Sequence, residues 1–123
     1  MRKPCILASV EDLYFQSQLE GIARSRNVEL YFASQGEQLS QLVKTFAAFM
    51  MVIDLSGVNS DWIFRHISEI IETNPRFPIV VFISHVQEAV RQRAEKYGCR
   101  FIFTKSQLIK KLPETIEQIL RGL

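Results

Sequence analysis

Four apolar segments of this sequence are each followed by side chains that can take part in chemistry. These side chains are carboxylates, a hydroxyl and an amine: Glu11 and Asp12, Asp54, Ser84, and Lys105. Clustered carboxylates with an open side suit Mg²⁺, which prefers oxygen ligands and keeps several waters. A carboxylate beside that ion can attack a phosphoryl group, while a hydroxyl and an ammonium bind the product oxygens. The residue types predict such a site if the fold brings them together.

Asp54 is the residue on which this hypothesis depends most. It ends a continuous apolar run, residues 49–53, that is typical of a strand buried on both faces. A charge inside such a strand would be costly to bury. At the carboxyl end of the strand it can instead face the crevice where open α/β sheets bind ligands. The alternative is that Asp54 only caps the turn that follows it.

Hydrophobic periodicity predicts five strands that alternate with five helices. The strands are expected at residues 4–10, 28–33, 49–54, 79–83 and 100–104. Such alternation implies parallel strands, right-handed crossovers and helices on both faces of the sheet. The predicted fold class is therefore α/β, a doubly wound three-layer sandwich with strand order 2-1-3-4-5. In that order, the carboxyl ends of strands one, three, four and five share one edge, which brings the candidate side chains together.

Local signals predict where the helices begin and end. Ser34 and Glu37 have the spacing of a capping box for the second helix, and Ser60 can cap the third. Gly98 is expected at the end of the fourth helix, and Pro113 in the first turn of the last. The inward face of the fourth helix is predicted to consist of Val86, Ala89, Val90 and Ala94. His66 is expected at the surface of the third helix, where it is more simply a solvated side chain than a ligand.

Composition limits the class of protein. The 123 residues suit a single domain, residues 1–123, and the hydrophobic fraction of 47% allows a sizeable core. The net charge of +2 is too balanced to indicate binding to nucleic acid or to a membrane surface. No stretch approaches the roughly 18 apolar residues of a membrane span, so the expected location is cytoplasmic. Cys5 and Cys99 fit no metal spacing and are expected to be reduced core residues without a disulfide.

With these residues in place, almost the whole chain resembles a CheY-like response-regulator receiver domain of two-component signalling. Asp54 matches the family's phosphoacceptor aspartate at the end of the third strand. Ser84 matches its Ser/Thr at the end of the fourth strand, and Lys105 its lysine at the end of the fifth. The resemblance implies a flavodoxin-like fold, a phosphoryl group on Asp54 contacted by Ser84 and Lys105, and a Mg²⁺ ion. The implied metal ligands are Glu11, Asp12, Asp54 and Ser56.

The resemblance also implies partners rather than an enzymatic activity. A sensor histidine kinase or a phosphotransfer protein would supply the phosphoryl group. A downstream protein would bind the face formed by the fourth helix, fifth strand and fifth helix, here residues 85–97, 101–103 and the last helix. No nucleic acid and no membrane are expected as partners.

Several positions around the predicted site depart from the family pattern. An ungapped match places Val10 where the first metal-site acid usually stands and Glu11 on the second acid. A slip of one residue would instead make Glu11 and Asp12 the pair, with a first strand longer than is usual in the family. The other departures lie in the loops and in the fifth strand: Val58, Trp62, His85, Ile102 and Ser106. Because the strand pattern is intact, we interpret the chain as a receiver whose phosphorylation chemistry is weakened, altered or lost. The alternative function is a phosphorylation-independent interaction module.

A flavin- or nucleotide-binding enzyme on the same architecture is a third hypothesis, since a fold does not determine a function. The loop after the first strand argues against it. Residues 10–15 contain no glycine and carry two negative charges, which makes a poor cradle for a phosphate group.

Overall fold

The computed structural model describes residues 3–34, 37–57, 61–85 and 87–122 of the chain. Strands and helices alternate throughout this part of the sequence. The elements are β1 (Cys5–Ser9), α1 (Leu13–Ser25), β2 (Glu29–Phe32), α2 (Leu39–Thr45), β3 (Ala48–Asp54), α3 (Asp61–Thr73), β4 (Ile79–Ile83), α4 (Glu88–Lys96), β5 (Phe101–Thr104) and α5 (Lys105–Arg121).

The five strands form one parallel sheet in the order β2-β1-β3-β4-β5. The predicted fold class and strand order are therefore confirmed. The register aligns the carboxyl ends of the inner strands, because Ile53 lies beside Ser9 and Asp54 beside Phe82. Thr104, the last residue of β5, lies beside Ile83 in the same way. This alignment gives the sheet a carboxyl edge at which residues after β1, β3, β4 and β5 emerge.

Two apolar cores lie on the two faces of the sheet. Successive strand residues point to opposite faces, so Met50 and Val52 join one core while Met51 and Ile53 join the other. The first core packs against α1 and α5, and the second against α2, α3 and α4. The central strand β3 is therefore buried on both sides, which explains why its sequence is apolar without interruption.

The predicted capping box at Ser34 and Glu37 is only half right. The Glu37 carboxylate does accept the backbone N–H of Ser34, at 2.6 Å. However, α2 begins at Leu39 with Gln38 as its N-cap, so this hydrogen bond closes a turn before the helix. The C-cap of α4 is Tyr97, and Gly98 follows it with a φ of 97°, the left-handed conformation that commonly ends a helix one residue after its C-cap. Ser60 and Val86 lie outside the described residues.

The prediction for Pro113 is wrong. Instead of starting a helix, Pro113 lies inside α5, which begins eight residues earlier at Lys105. A capping box starts the helix there, because Thr104 and Gln107 each bond the other's backbone N–H, at 3.0 and 3.3 Å. The carbonyl of Pro113 accepts a hydrogen bond from the Arg26 side chain, at 3.3 Å, which ties α5 to the end of α1.

Two further side chains are not where the sequence pattern put them. Ala89 is exposed, and of the described residues of α4 only Ala94 is fully buried. His66 is half-buried rather than on the surface, with its ring edge-on to Trp62 and its Nδ1 buried without a hydrogen-bond partner in the described part of the chain. The Trp62 ring, one helical turn before His66, shields it from solvent.

Both cysteines are buried and neither forms a disulfide, as predicted. Burial raises the pKa of the Cys99 thiol to about 12, so the neutral form dominates at ordinary pH. Within the described ranges, none of the helices is long and apolar enough to cross a membrane.

Candidate site at the carboxyl edge of the sheet

Asp54 lies at the carboxyl edge, half-buried, as the last residue of β3. The strand is held in place up to this point, because the next residue, Leu55, donates its N–H to the carbonyl of Phe82 on β4, at 2.9 Å. The Asp54 Oδ1 accepts both the backbone N–H of Ser56, at 2.8 Å, and the hydroxyl of Ser56. Asp54 therefore lies at the predicted edge of the sheet and also caps the turn after β3, which is the simpler alternative.

Ser84 lies beside Asp54's strand at the same edge, directly after β4. A tight turn holds it there: the Ser84 N–H donates to Oε1 of Gln87 at 2.8 Å, and the Gln87 N–H donates to the Ser84 carbonyl at 3.1 Å. The hydroxyl-bearing residue is half-buried and the following His85 is exposed. The structure thus places Ser84 and Asp54 at the carboxyl ends of adjacent strands, as the sequence predicted.

Lys105 reaches the carboxyl edge but does not pair with Asp54. It is the first residue of α5, and its Nζ lies 5.8 Å from the centroid of the Phe15 ring. That ring packs on Phe82 with centroids 5.2 Å apart, so Lys105 lies over the core between the sheet and α1. Within the described residues its ammonium forms no ion pair with a carboxylate. The lysine contacts an aromatic ring in place of an acid.

The residues after β1 serve as structural contacts. Val10, at the position of the usual first acid, is only 3% exposed and belongs to the core against α1 and α5. Its carbonyl accepts a hydrogen bond from Nε2 of Gln16 at 2.7 Å. Asp12 is the N-cap of α1, because its Oδ1 accepts the N–H of Phe15 at 3.1 Å. Glu11 is exposed.

The positions of the residues after β1 decide how well the predicted ligands would suit Mg²⁺. The ion needs several oxygen ligands close together. Here one position is filled by buried Val10 and a second carboxylate, that of Asp12, caps a helix. Among the described residues no three acid, histidine or cysteine side chains lie close enough to share a metal ion. The residues therefore do not fit a Mg²⁺ site as arranged, and the ligand set Glu11, Asp12, Asp54 and Ser56 stays a prediction.

Two roles at this edge were not inferred from the sequence. Asp12 was expected to be a ligand, yet an Asp directly before the first apolar residue of a helical pattern is a standard N-cap signal. The contact of Phe15 with Lys105 joins two segments far apart in the chain. No local pattern could have indicated that contact.

The structure is similar to solved receiver domains over nearly its full length. One is a CheY-like protein (tadZ) from Pseudomonas aeruginosa, with a TM-score of 0.82, 16% identity, and coverage of 94% of this chain and 98% of that one. Another is the signal receiver domain of a DNA-binding response regulator (merR) from Colwellia psychrerythraea, with a TM-score of 0.79, 19% identity, and coverage of 96% and 98%. An orphan response regulator of H. pylori, HP1043, has a TM-score of 0.77, 15% identity, and coverage of 98% and 99%.

No protein-family model and no curated protein matches the sequence. The chain thus has the CheY-like, flavodoxin-like fold of response-regulator receiver domains, which confirms the resemblance inferred from the sequence at the level of fold. The low identities fit a divergent sequence on that fold. The roles of Asp54, Ser84 and Lys105 are not tested by these similarities and stay predictions.

Proposed function

We propose that this protein is a receiver-type signalling domain of a two-component pathway, and that it signals by protein–protein contact without needing a phosphoryl group on Asp54. The observation that carries this proposal is the state of Val10. Its side chain is packed in the core at the position where a receiver's first metal-site acid would stand. A Mg²⁺-dependent transfer to Asp54 would lack one of its usual carboxylates.

The position of Lys105 supports the same proposal. For this lysine to contact a phosphoryl group on Asp54, its ammonium would have to leave the Phe15 ring. An ammonium over an aromatic face gains roughly 0.5–1 kcal/mol at an exposed site. That energy is small enough to overcome, but the Lys105 ammonium lies over the Phe15 ring and not against the Asp54 carboxylate, where a phosphoryl group would be attached.

The surface proposed for the partner is the face formed by α4, β5 and α5. On β5 the rings of Phe101 and Phe103 are half-buried, and a cation covers each of them. The guanidinium of Arg100 lies 5.7 Å from the Phe101 ring centroid, and the ammonium of Lys111 lies 6.0 Å from that of Phe103. Cations beside aromatic rings suit an acidic protein surface, because complementary charges steer association. Aromatic side chains and arginine are also enriched where binding energy concentrates.

Phosphorylation of Asp54 by a sensor histidine kinase or a phosphotransfer protein is the second candidate. It is favoured by the half-buried Asp54 at the strand end and by Ser84 on the adjacent strand. A nucleotide- or flavin-binding enzyme receives less support. At the N-terminus of α1, where such a fold would hold a phosphate, the N–H of Phe15 is already bonded to the Asp12 carboxylate, whose charge would repel an anion. The cytoplasmic location stays the expectation from the sequence.

The deciding experiment measures intact mass after incubation with acetyl phosphate and Mg²⁺, with Asp54→Asn as the matched control. We expect no added phosphoryl group on either protein. An adduct on the native chain that is absent from Asp54→Asn would contradict the proposal and establish the second candidate.

A paired experiment tests the interaction itself in cells. Asp54→Asn should leave the biological output of the gene intact, while the charge reversal Arg100→Glu with Lys111→Glu should reduce it to that of a deletion. An output that is lost with Asp54→Asn and kept with the charge reversal would reject both the phosphorylation independence and the proposed face.

A further inference from the structure

A cavity of about 670 Å³ opens at the amino edge of the sheet, opposite Asp54. It lies where β3 and β5 begin and α5 ends, and it is also lined by residues 74–78, the loop that leads into β4. Pockets for small ligands commonly have volumes of roughly 300–1,000 Å³. The cavity is therefore large enough for a small organic molecule, and none of the predicted site residues contributes to it.

The lining combines an aromatic floor with a polar rim. Phe49 and Phe77 are almost fully buried beneath the cavity, and Phe101 is half-buried beside them. Arg76 and Arg100 stand at the rim, both exposed, and neither forms an ion pair with a carboxylate of the described residues. None of the residues that line the cavity is acidic.

The local charge favours an anion even after the helix ends are considered. α3 ends just before Asn74 and α5 ends just before Gly122, and both of these residues line the cavity. Each helix carboxyl end carries roughly half a negative elementary charge, so the two together contribute about one. The two guanidinium groups carry two positive charges. A net positive potential remains in the cavity.

From this combination we infer that the cavity binds a small organic anion that carries a flat apolar group. The planar guanidinium groups of Arg76 and Arg100 match a carboxylate or phosphate in shape and charge. The flat group would lie on the aromatic floor beside Phe101. An aromatic carboxylate and a nucleoside monophosphate share this chemistry.

This inference does not rest on the proposed function. The cavity shares Arg100 and Phe101 with the proposed partner face, but it shares no residue with the site at the carboxyl edge. The cavity does lie on the same strands, however. β3 begins in its lining at Ala48 and ends at Asp54, which at about 3.3 Å per residue is a separation of roughly 20 Å. Occupancy of the cavity is therefore separable from chemistry at Asp54 in any binding measurement.

The test is isothermal titration of the native protein with three probes: benzoate, AMP and inorganic phosphate. We expect benzoate or AMP to bind, which distinguishes a carboxylate from a phosphate ligand, and inorganic phosphate to bind at least about tenfold more weakly because it lacks the flat group. The double variant Arg76→Gln with Arg100→Gln should weaken binding by about tenfold or more. Arg65→Gln, an exposed arginine on α3 that does not line the cavity, should leave binding unchanged.

Three results would overturn the inference. The first is that neither benzoate nor AMP binds the native protein at millimolar concentration. The second is that binding is equal in the native protein and the double arginine variant. The third is that backbone amide shifts on titration cluster around Lys105 instead of around Phe101 and Gly122. Both arginines are exposed, so circular dichroism should show that the double variant folds normally.

Discussion

The carboxyl edge has two halves, the residues after β1 (the β1 half) and the residues after β3 and β4 (the β3–β4 half), and their polar side chains make different contacts. After β1, Val10 is part of the core and the carboxylate of Asp12 is bonded to the backbone of α1. After β3 and β4, Asp54 and Ser84 remain half-buried at the edge, where the Asp54 carboxylate accepts the N–H of Ser56 and the backbone N–H of Ser84 donates to the Gln87 side chain. The first half is built for packing, whereas the second keeps the residue types that chemistry would need.

This difference separates the fold from the residue types at its edge. Strand order and register depend on the buried strand residues, so the fold does not require an acid after β1. Replacing an acid by a valine at the end of β1 removes a potential ligand and adds buried apolar area to the core. We expect the β1 half to be sensitive to polar substitution and the β3–β4 half to tolerate it.

The largest effect is expected for Val10→Asp. A carboxylate would replace a side chain that is 3% exposed, and an uncompensated buried charge destabilises by roughly 3–5 kcal/mol. Urea unfolding of the variant and of the native protein measures the difference. Val10→Asn introduces a neutral side chain with the same shape as aspartate, so it should lose less stability than Val10→Asp. A loss below about 1 kcal/mol for Val10→Asp would show that Val10 is not part of the core.

The response of Val10→Asp to Mg²⁺ is a second test of the difference between the two halves of the edge. If the acid restores a missing ligand beside Asp54, Mg²⁺ should raise the unfolding temperature of Val10→Asp, because a ligand that binds only the folded state stabilises it. The native protein and Val10→Asn should show no such rise. An equal rise in all three proteins would mean that the native edge already binds the ion without a carboxylate at position 10.

The next largest effect is expected for Phe15→Ala, which removes the ring between Phe82 and Lys105. Deletion of a buried Phe side chain destabilises by about 3 kcal/mol at the lower end of its range. Leu13→Ala is the matched control on the same helix, because Leu13 is 79% exposed, and it should change the unfolding free energy by less than about 0.5 kcal/mol. Similar losses of unfolding free energy for Phe15→Ala and Leu13→Ala would contradict the conclusion that the β1 half is part of the core.

Smaller effects are expected in the β3–β4 half. Asp54→Asn keeps an oxygen that can accept the Ser56 N–H, so its loss of stability should stay below about 1 kcal/mol. Ser56→Ala removes one hydroxyl donor from the same turn and should have an effect of similar size. Thermal unfolding is sufficient to detect either loss. A loss above about 3 kcal/mol would give Asp54 a structural role equal to that of Val10.

Cys99 lies just before β5, at the opposite end of that strand from the carboxyl edge. The smallest effect is therefore expected when the edge is substituted and the reactivity of the Cys99 thiol is measured. With a pKa of about 12, only about one thiol in ten thousand is ionised at pH 8, so Ellman's reagent should react far more slowly in the folded than in the unfolded protein. Asp54→Asn should leave that slow rate unchanged. A faster rate in that variant would mean that the edge and the β5 region open together.

The pH dependence of stability follows from the same thiol. Its pKa is raised from 9.0 to about 12 on folding, so the folded state holds the proton more tightly. Between those values the unfolded chain loses its proton first, which favours unfolding. Stability should therefore fall as the pH rises above 9, and Cys99→Ala should fall less steeply in pH-dependent urea titrations.

Strand order and the positions of Asp54 and Ser84 could be predicted because they depend on hydrophobic periodicity. A run such as residues 49–53 has to be buried on both faces, and alternation with helices then permits few topologies. Gly98 was predictable for a similar reason, since its positive φ suits a residue without a side chain.

The rest of the site depends on contacts that no local pattern specifies. Pro113 was taken as a helix start because proline favours the first turn, but the capping box at Thr104 and Gln107 had already started α5. Asp12 could have been either a ligand or an N-cap, and only the fold decides between them. The place of Lys105 over Phe15 depends on how α1 and α5 pack together.

β5 lies at one end of the strand order, so one side of its backbone has no neighbouring strand in the sheet. Open edges of this kind invite other chains to add strands, which leads to aggregation. Two cations, Arg100 and Lys111, lie over the rings of Phe101 and Phe103 on this strand. Charges beside an apolar edge strand resist such pairing, so these side chains also protect the protein from self-assembly into β-structured aggregates.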